Sequence, residues 1–204
     1  MTIIPVPTGR IDGRSYVIVS DGQAAVVDPD VNLPDILAAL EAEGAELKYI
    51  LLTHCHFDHT GGVAELRART GAVTAMHALD AVSVNVQEIN MTAIFRQPPV
   101  TGIEIDQPLE DGSTLTLGGS EIQVIHTPGH SAGGCCYHIG GDLFTGDTLF
   151  RGAYGTTQCT DGSIDALRQS IARLFLLDGS TVIWPGHGQK STIEREHRLN
   201  LINR

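Results

Sequence analysis

Apolar positions along the chain fall into short runs whose spacing alternates between strand and helix type. Residues 47–53 form a largely apolar run of strand length, and residues 34–43 place Ile36, Leu37 and Leu40 at helical spacing before Gly44. By the same criteria we predict strands at 15–20, 23–28, 47–53, 73–76, 115–117, 122–126, 135–139, 142–145 and 181–184. The predicted helices are 34–43, 63–69, 164–176 and 192–201, and 77–100 is predicted as a helix-plus-loop segment.

The order of these elements predicts a layered α/β fold. Strands and helices come in two similar halves, and two sheets packed face to face with helices outside would bury the apolar strands on both sides. The 204 residues suit one domain spanning 1–204, and no repeat or linker divides them.

Composition narrows the classes of partner. A formal net charge of −11 argues against nucleic acid, whose binders carry a basic surface. No leader or membrane-spanning run is evident, so we expect no membrane association. The four cysteines have no disulfide or metal-motif spacing and suit a reducing cytoplasm, so we expect a cytoplasmic protein.

The strongest chemical signal follows the predicted strand 47–53. His54, His56, Asp58 and His59 stand within six positions, ahead of Gly61-Gly62. Burying three imidazoles and a carboxylate together is costly unless they bind something, and these groups are the usual ligands of Zn²⁺ and similar metals. A single histidine here would most simply be a residue of a surface loop, whereas this cluster predicts a metal site.

Three later segments also end a strand at a turn containing glycine. Each contributes one candidate ligand: His130, Asp147 and His187. Each is weak evidence alone, but with the first cluster they predict convergence on one metal centre.

The ordered set THCHFDHTGG, HTPGHSAGG, FTGDTLF and WPGHG resembles the metallo-β-lactamase superfamily, and within it the short glyoxalase II-like thioester hydrolases. The resemblance implies an αββα sandwich of two packed mixed β-sheets with helices on the outer faces and metals at one edge. It implies two divalent metals, zinc with iron or manganese as alternatives. The implied ligands are His54, His56 and His130 for the first metal, Asp58, His59 and His187 for the second, and Asp147 for both. His126, Cys55 and Cys159 match no ligand position.

The resemblance also implies hydrolysis of a small anionic thioester, a glutathione thioester or a similar acyl thioester. A water that bridges two metals loses a proton near neutral pH, and the hydroxide attacks the carbonyl carbon. Asp58 is the expected catalytic residue, because it would both bind the second metal and orient that hydroxide. The longer glyoxalase II enzymes hold glutathione partly through a C-terminal helical region, whereas the predicted last ligand here is followed only by a short stretch that ends with residues 192–204.

Substrate contacts are predicted at Phe57, Arg151 and Tyr154, which neighbour the ligand loops, and at the segment 77–100, where His77 is a further candidate. Thr156 stands where related short hydrolases carry arginine, which removes a two-pronged anchor for a carboxylate.

Two other activities remain open on sequence. A persulfide dioxygenase of the same fold would use one iron at residues matching His54, His130 and Asp147, a ligand set suited to Fe(II) and O₂. Lactone or other ester hydrolysis is a further alternative, since fold alone does not fix function. A non-catalytic metal binder is disfavoured because Asp58 and Asp147 are both present.

Overall fold

Two six-stranded sheets face each other, and helices cover their outer faces. The computed structural model describes residues 1–10 and 12–203. The elements are β1 (Thr2–Pro7), β2 (Arg14–Ser20), β3 (Gln23–Val27), α1 (Leu33–Glu43), β4 (Glu46–Leu52), α2 (Phe57–Thr60), α3 (Val63–Thr70), β5 (Val73–His77), α4 (Ala78–Ala81), β6 (Gln107–Leu109), β7 (Thr114–Leu117), β8 (Ser120–His126), β9 (Cys135–Ile139), β10 (Asp142–Gly146), β11 (Leu149–Phe150), β12 (Ala153–Tyr154), α5 (Ile164–Leu174), β13 (Val182–Pro185), β14 (Ser191–Thr192) and α6 (Ile193–Leu199), followed by a 3₁₀ turn, Leu201–Asn203.

Both large sheets are mixed, as predicted. The first runs β1-β2-β3-β4-β5-β6, with antiparallel pairing up to β3 and parallel pairing from there to β6. The second runs β14-β13-β10-β9-β8-β7, and its one parallel pair is β10 with β13. Strands β11 and β12 form a separate small ribbon.

Alternation along the central strands sorts apolar side chains into three layers. On β4, Leu51 packs between the two sheets, whereas Ile50 and Leu52 face α1 and α3. On β9, Tyr137 packs between the sheets and Cys136 faces the layer under α5. The chain therefore forms the αββα sandwich that the sequence predicted.

Most predicted strands and helices are confirmed within two residues. The sequence reading missed β1, an edge strand that tolerates Pro5 and Pro7 because one side of it needs no partner strand. The segment 77–100, predicted as a helix plus a loop, begins with the single-turn helix α4. The rest of that segment is a series of turns, held where the buried Asn90 amide donates to the carbonyl oxygens of Val84 and Val100.

Four strand ends gather at one edge of the sandwich. Strands β4, β8, β10 and β13 each lead into a segment that carries candidate ligands. Backbone hydrogen bonds hold this edge together: Cys135, at the start of β9, donates to Thr53 after β4 at 2.8 Å, and Gly186 after β13 donates to Gly146 of β10 at 2.8 Å. Within the described residues, no helix is long and apolar enough to cross a bilayer.

Candidate metal centre

The seven predicted ligands come together at this edge, from four separate segments of the chain. The ligand atoms of His54, His56 and His130 lie within 4.8 Å of one another. The same holds for the second set, Asp58, His59 and His187. The two groups are those that the resemblance implied for two metals.

The atoms of the second set are spaced like ligands around one ion. His59 Nε2 lies 3.3 Å from His187 Nε2, and Asp58 Oδ2 lies 3.5 Å from His187 Nε2 and 4.0 Å from His59 Nε2. Four ligands in a tetrahedron, each about 2.0–2.1 Å from zinc, are separated by about 3.3–3.4 Å. The observed spacings are close to this, so the second set fits a metal ion of that size.

Asp147 lies between the two sets. Its Oδ1 is 3.4 Å from His59 Nε2 and 3.7 Å from His187 Nε2, and its Oδ2 is 3.6 Å from His130 Nε2. One carboxylate oxygen thus faces the second set and the other faces the first.

Among the described residues, several of the buried polar atoms without a hydrogen-bond partner lie at the centre. His54 Nε2 and Asp147 Oδ1 have no hydrogen-bond partner among the described residues, although each is shielded from solvent. An unsatisfied buried polar atom costs about 1–3 kcal/mol, so native proteins rarely leave one without a ligand. These atoms, with the spacing of the second set, fit divalent metals held by imidazole and carboxylate groups.

Hydrogen bonds on the far sides of three rings leave the inward nitrogens free to bind metal. His59 Nδ1 lies 3.0 Å from Asp28 Oδ2, and His130 Nδ1 lies 2.7 Å from the carbonyl oxygen of Thr156. Both partners are acceptors, so each Nδ1 carries the proton. His54 Nδ1 is 3.0 Å from Thr53 Oγ1, whose own proton goes to Asp28 at 2.6 Å. Such contacts raise the basicity of metal-binding imidazoles and fix their orientation.

Asp28 is the main functional residue that the sequence reading missed. It is buried at the end of β3, and its Oδ1 accepts from the backbone N–H of Thr53 at 2.7 Å. Its φ of 51° is the left-handed conformation that aspartate and asparagine tolerate best after glycine. Its carboxylate supports two of the candidate ligands, His54 and His59, through the contacts above. Its place at a strand end before Pro29 was the available signal.

A second buried carboxylate joins the ligand loops. Asp80 accepts from the backbone N–H of Cys55 at 3.0 Å and of Gly133 at 2.5 Å, and from Ser131 Oγ at 2.8 Å. Burial raises the pKa of Asp80, although these hydrogen bonds oppose the shift. The side chain therefore fixes the loop after β4 against the loop after β8.

Two glycines are required by close packing at the centre. A Cβ on Gly186 would lie 2.5 Å from Asp147 Oδ1 and 2.6 Å from His59 Cε1. A Cβ on Gly146, whose φ is 45°, would lie 2.2 Å from Thr53 Oγ1. Side chains at either position would displace the candidate ligands.

The two sets differ in their electrostatics. Burial and the neighbouring histidines hold the pKa of His54 well below its ordinary value, and burial with His130 lowers the pKa of His56 to about 3. Burial also acts to lower the pKa of His59, but Asp147, Asp58 and Asp28 outweigh it and raise the pKa to about 10. The metal-free second set therefore holds a proton where a cation would bind.

A cavity of about 170 Å³ opens on the centre. Its apolar wall contains Phe57, Met91 and Phe95, with the rings of Phe57 and Phe95 5.7 Å apart. Thr156 and Cys159 complete the wall beside the candidate ligands His56, Asp58, His130 and Asp147. The position where arginine was expected therefore borders the cavity, and the segment 77–100 flanks it as predicted.

The other predicted substrate contacts lie elsewhere. Arg151 lines a neighbouring groove and contacts Gln189, and Tyr154 pairs with Leu149 in the small ribbon. Neither is among the described residues that line the cavity at the centre. His77 stacks on His126 with ring centroids 3.9 Å apart, and it too is outside that lining.

Comparison with known proteins agrees with this geometry. The family model described as the metallo-beta-lactamase superfamily matches residues 8–187. The chain is 30% identical to the probable metallo-hydrolase YqgX of Bacillus subtilis over 96% of this chain and 94% of that protein. It is 39% identical to a hydroxyacylglutathione hydrolase of Cereibacter sphaeroides, over 81% of this chain but 58% of that enzyme.

Solved structures show the same likeness. The crystal structure of the B3 metallo-beta-lactamase BLEG-1 has a TM-score of 0.93 at 29% identity, with 100% of both chains covered. That of TTHA1623 in a di-iron-bound form has a TM-score of 0.86 at 32% identity, covering 97% of this chain and 98% of that one. The fold, the two converging donor sets and the family match together show that this chain belongs to the metallo-β-lactamase superfamily of metallo-hydrolases.

Proposed function

We propose that the protein hydrolyses an acyl thioester at a centre of two divalent metals. The observation that carries this proposal is the complete second donor set, Asp58, His59 and His187, beside the first, with Asp147 facing both. The 39% identity to a hydroxyacylglutathione hydrolase supports a thioester as substrate. The imidazole and carboxylate donors suit zinc, and the di-iron form of TTHA1623 makes iron the alternative to test.

Two metals bound there would supply an activated water as nucleophile and a Lewis acid for the thioester carbonyl. In the net reaction, water adds its hydroxyl group to the acyl carbon, the C–S bond breaks, and the thiol leaves with the remaining proton. The protein's part is to orient the imidazole donors, since Asp28, Thr53 and the carbonyl group of Thr156 each accept the proton on an outward-facing Nδ1.

Asp58 is the proposed catalytic residue. Its side chain is 25% exposed, in contrast to 2% for His59, and it lines the cavity at the metal centre. Burial acts to raise the pKa of Asp58, but His59 and His187 outweigh it and lower the pKa. The group is therefore an anion at neutral pH that could accept a hydrogen bond from the attacking water, and it is one of the residues that would hold the second metal.

The cavity wall indicates the kind of acyl group. Phe57, Met91 and Phe95 form an apolar surface next to the donor atoms. At about 170 Å³ the cavity suits a small acyl group.

The test is to assay S-lactoylglutathione and glutathione persulfide side by side, with and without oxygen, on metal-loaded protein. We expect thioester cleavage that is indifferent to oxygen and that falls at least ~100-fold in Asp58→Ala, the scale of a positioned catalytic group. Asp165→Ala removes an exposed carboxylate at the start of α5 and is the matched control, with activity unchanged. Oxygen consumption with the persulfide and no thioester cleavage would overturn the proposal in favour of a mononuclear iron dioxygenase.

A further inference from the structure

A groove larger than the metal cavity begins at Gly188, the residue that follows the candidate ligand His187. Its volume is about 570 Å³, within the range of small-molecule sites. It is formed by the first two strands of one sheet and by β13 with the residues after it in the other. Its lining residues are Pro5, Arg14, Tyr16, Arg151, Trp184, Gly188, Gln189 and Lys190.

The groove is cationic in an acidic protein. Arg14, Arg151 and Lys190 line it, and no carboxylate is among its described lining residues, although the chain has 24 Asp and Glu against 13 Lys and Arg. Among the ion pairs of the described residues, none involves these three side chains, whereas six other arginines are paired. Three cations without carboxylate partners, facing one space, attract an anionic ligand.

The cationic side chains of the groove are held in place around an apolar floor, which is formed by Pro5, Tyr16 and Trp184. Arg151 donates to the side chain of Gln189, and the Lys190 ammonium lies 5.0 Å from the ring centroid of Trp184. The Tyr16 hydroxyl donates to the carbonyl oxygen of Pro185 at 2.6 Å, so it fixes the floor to the strand that ends beside the metal centre. A guanidinium and an ammonium held in this way can bind phosphate oxygens, the first in a two-pronged contact.

The groove continues from the metal centre along the chain. Gly188 directly follows the candidate ligand His187, and Arg151 directly follows Phe150, whose ring lies 6.1 Å from the His187 ring. An extended molecule whose reacting bond lay at the metals would therefore have room for its far end beside His187, where the groove begins.

We propose that this groove binds the phosphate-bearing part of the thiol carrier, so that the substrate is a thioester of the coenzyme A kind. This inference rests on the proposed function. Glutathione carries an ammonium group that needs an acceptor anion, and the described lining provides none, whereas a carrier with several phosphates and no cation matches the three positive charges. The apolar floor suits the rest of such a carrier.

The experiment compares two thioesters with the same acyl group, lactoyl-coenzyme A and S-lactoylglutathione, on Arg151→Gln and Lys190→Gln. We expect each variant to raise the KM for lactoyl-coenzyme A by roughly three- to tenfold, the scale of one partly exposed charged contact. The kcat and the KM for S-lactoylglutathione should stay within twofold. Arg198→Gln removes an exposed cation on α6, outside the groove, and should change nothing.

Calorimetric titration of metal-loaded protein with coenzyme A separates this inference from the proposed function. We expect both groove variants to weaken binding by the same factor and added salt to weaken it further. If neither thioester is hydrolysed but the groove variants weaken coenzyme A binding, the thioesterase proposal fails and the groove stands. Unchanged affinity and KM in both variants, or equal loss with both thioesters, would overturn the groove's assignment.

Discussion

Replacing Asp28 by asparagine tests how the protein prepares its second metal site. The substitution keeps the shape of the side chain, and asparagine tolerates the φ of 51° as well as aspartate does. What changes is one acceptor oxygen, because an amide nitrogen takes the place of a carboxylate oxygen. If that nitrogen faces His59, the imidazole must accept at Nδ1 and carry its proton on Nε2, the atom that faces the metal position.

The magnitude follows from the role of such supporting groups. Loss of a carboxylate behind a metal-binding histidine typically lowers metal affinity 10- to 100-fold, or about 1.4–2.7 kcal/mol. The first set should lose less, because Asp28 reaches His54 only through the hydroxyl of Thr53. We therefore expect the weaker of two zinc dissociation constants to rise 10- to 100-fold, with a parallel fall in thioester hydrolysis at limiting metal.

Competition with a chromophoric chelator measures both dissociation constants. Asp106→Asn is the control, because that carboxylate also accepts from a backbone N–H, at 2.9 Å from Thr74, but lies on the far side of β5 from the metal centre. Its zinc binding should equal that of the unaltered protein. A second dissociation constant that stays within twofold in Asp28→Asn would refute the reasoning that Asp28 sets the protonation of His59.

Three further predictions follow from packing and charge. Gly186→Ala should abolish binding of the second metal and most hydrolysis, because the new methyl group would lie 2.5 Å from Asp147 Oδ1. Metal analysis measures this, and two bound metals with full activity would contradict it. The pKa of His59 is about 10 in the metal-free protein and that of His187 is also raised, so metal must displace protons from this set. Metal affinity should therefore rise as pH rises from 6 to 8, and calorimetry in buffers of different ionisation enthalpy should show at least one proton released. Burial acts to raise the pKa of Glu196, but hydrogen bonds, including one from the N–H of Gly152, outweigh it and lower the pKa. Because the pKa is lower in the folded than in the unfolded protein, Glu196 stabilises the fold above pH 4.5, and this stabilisation is lost as the pH falls further. Glu196→Gln should therefore lower the free energy of unfolding by about 1.5–3 kcal/mol at pH 7 in urea titrations, and a difference that did not shrink below pH 4.5 would contradict this.

The sandwich could be predicted from the sequence because the central strands are continuous apolar runs, which indicates burial on both faces. Successive side chains in such a run, for example Ile50 and Leu51, point into two different apolar layers. Two apolar layers exist only where both faces of a sheet are covered. Short or irregular elements contain too few residues for a hydrophobic periodicity to be recognised. Strand β6 has three residues, including Pro108, and the turns of 77–100 depend on Asn90, a buried polar contact that no periodicity reveals.

The site was predictable where ligands follow strand ends with glycine beside them. The supporting residues were not, because Asp28 and Asp80 contact the centre only through the tertiary fold, from 25 or more residues along the chain. Arg151 was predicted to line the substrate pocket because it is near Asp147 in sequence. Its side chain instead lines the neighbouring groove, since its position depends on how the edges of the two sheets meet. Direct contact with one ligand loop does place Phe57 at the cavity.

Under the proposed function, hydrolysis needs two metals, one held by each donor set. The most direct measurement is a titration of metal-free protein with zinc, in which bound metal and thioester hydrolysis are followed together. We predict that hydrolysis appears mainly with the second equivalent, and that His187→Ala binds one metal per chain and stays inactive. Full hydrolysis at one equivalent would show that the second metal is not needed, and an unchanged two-metal count in His187→Ala would show that the second donor set does not hold it.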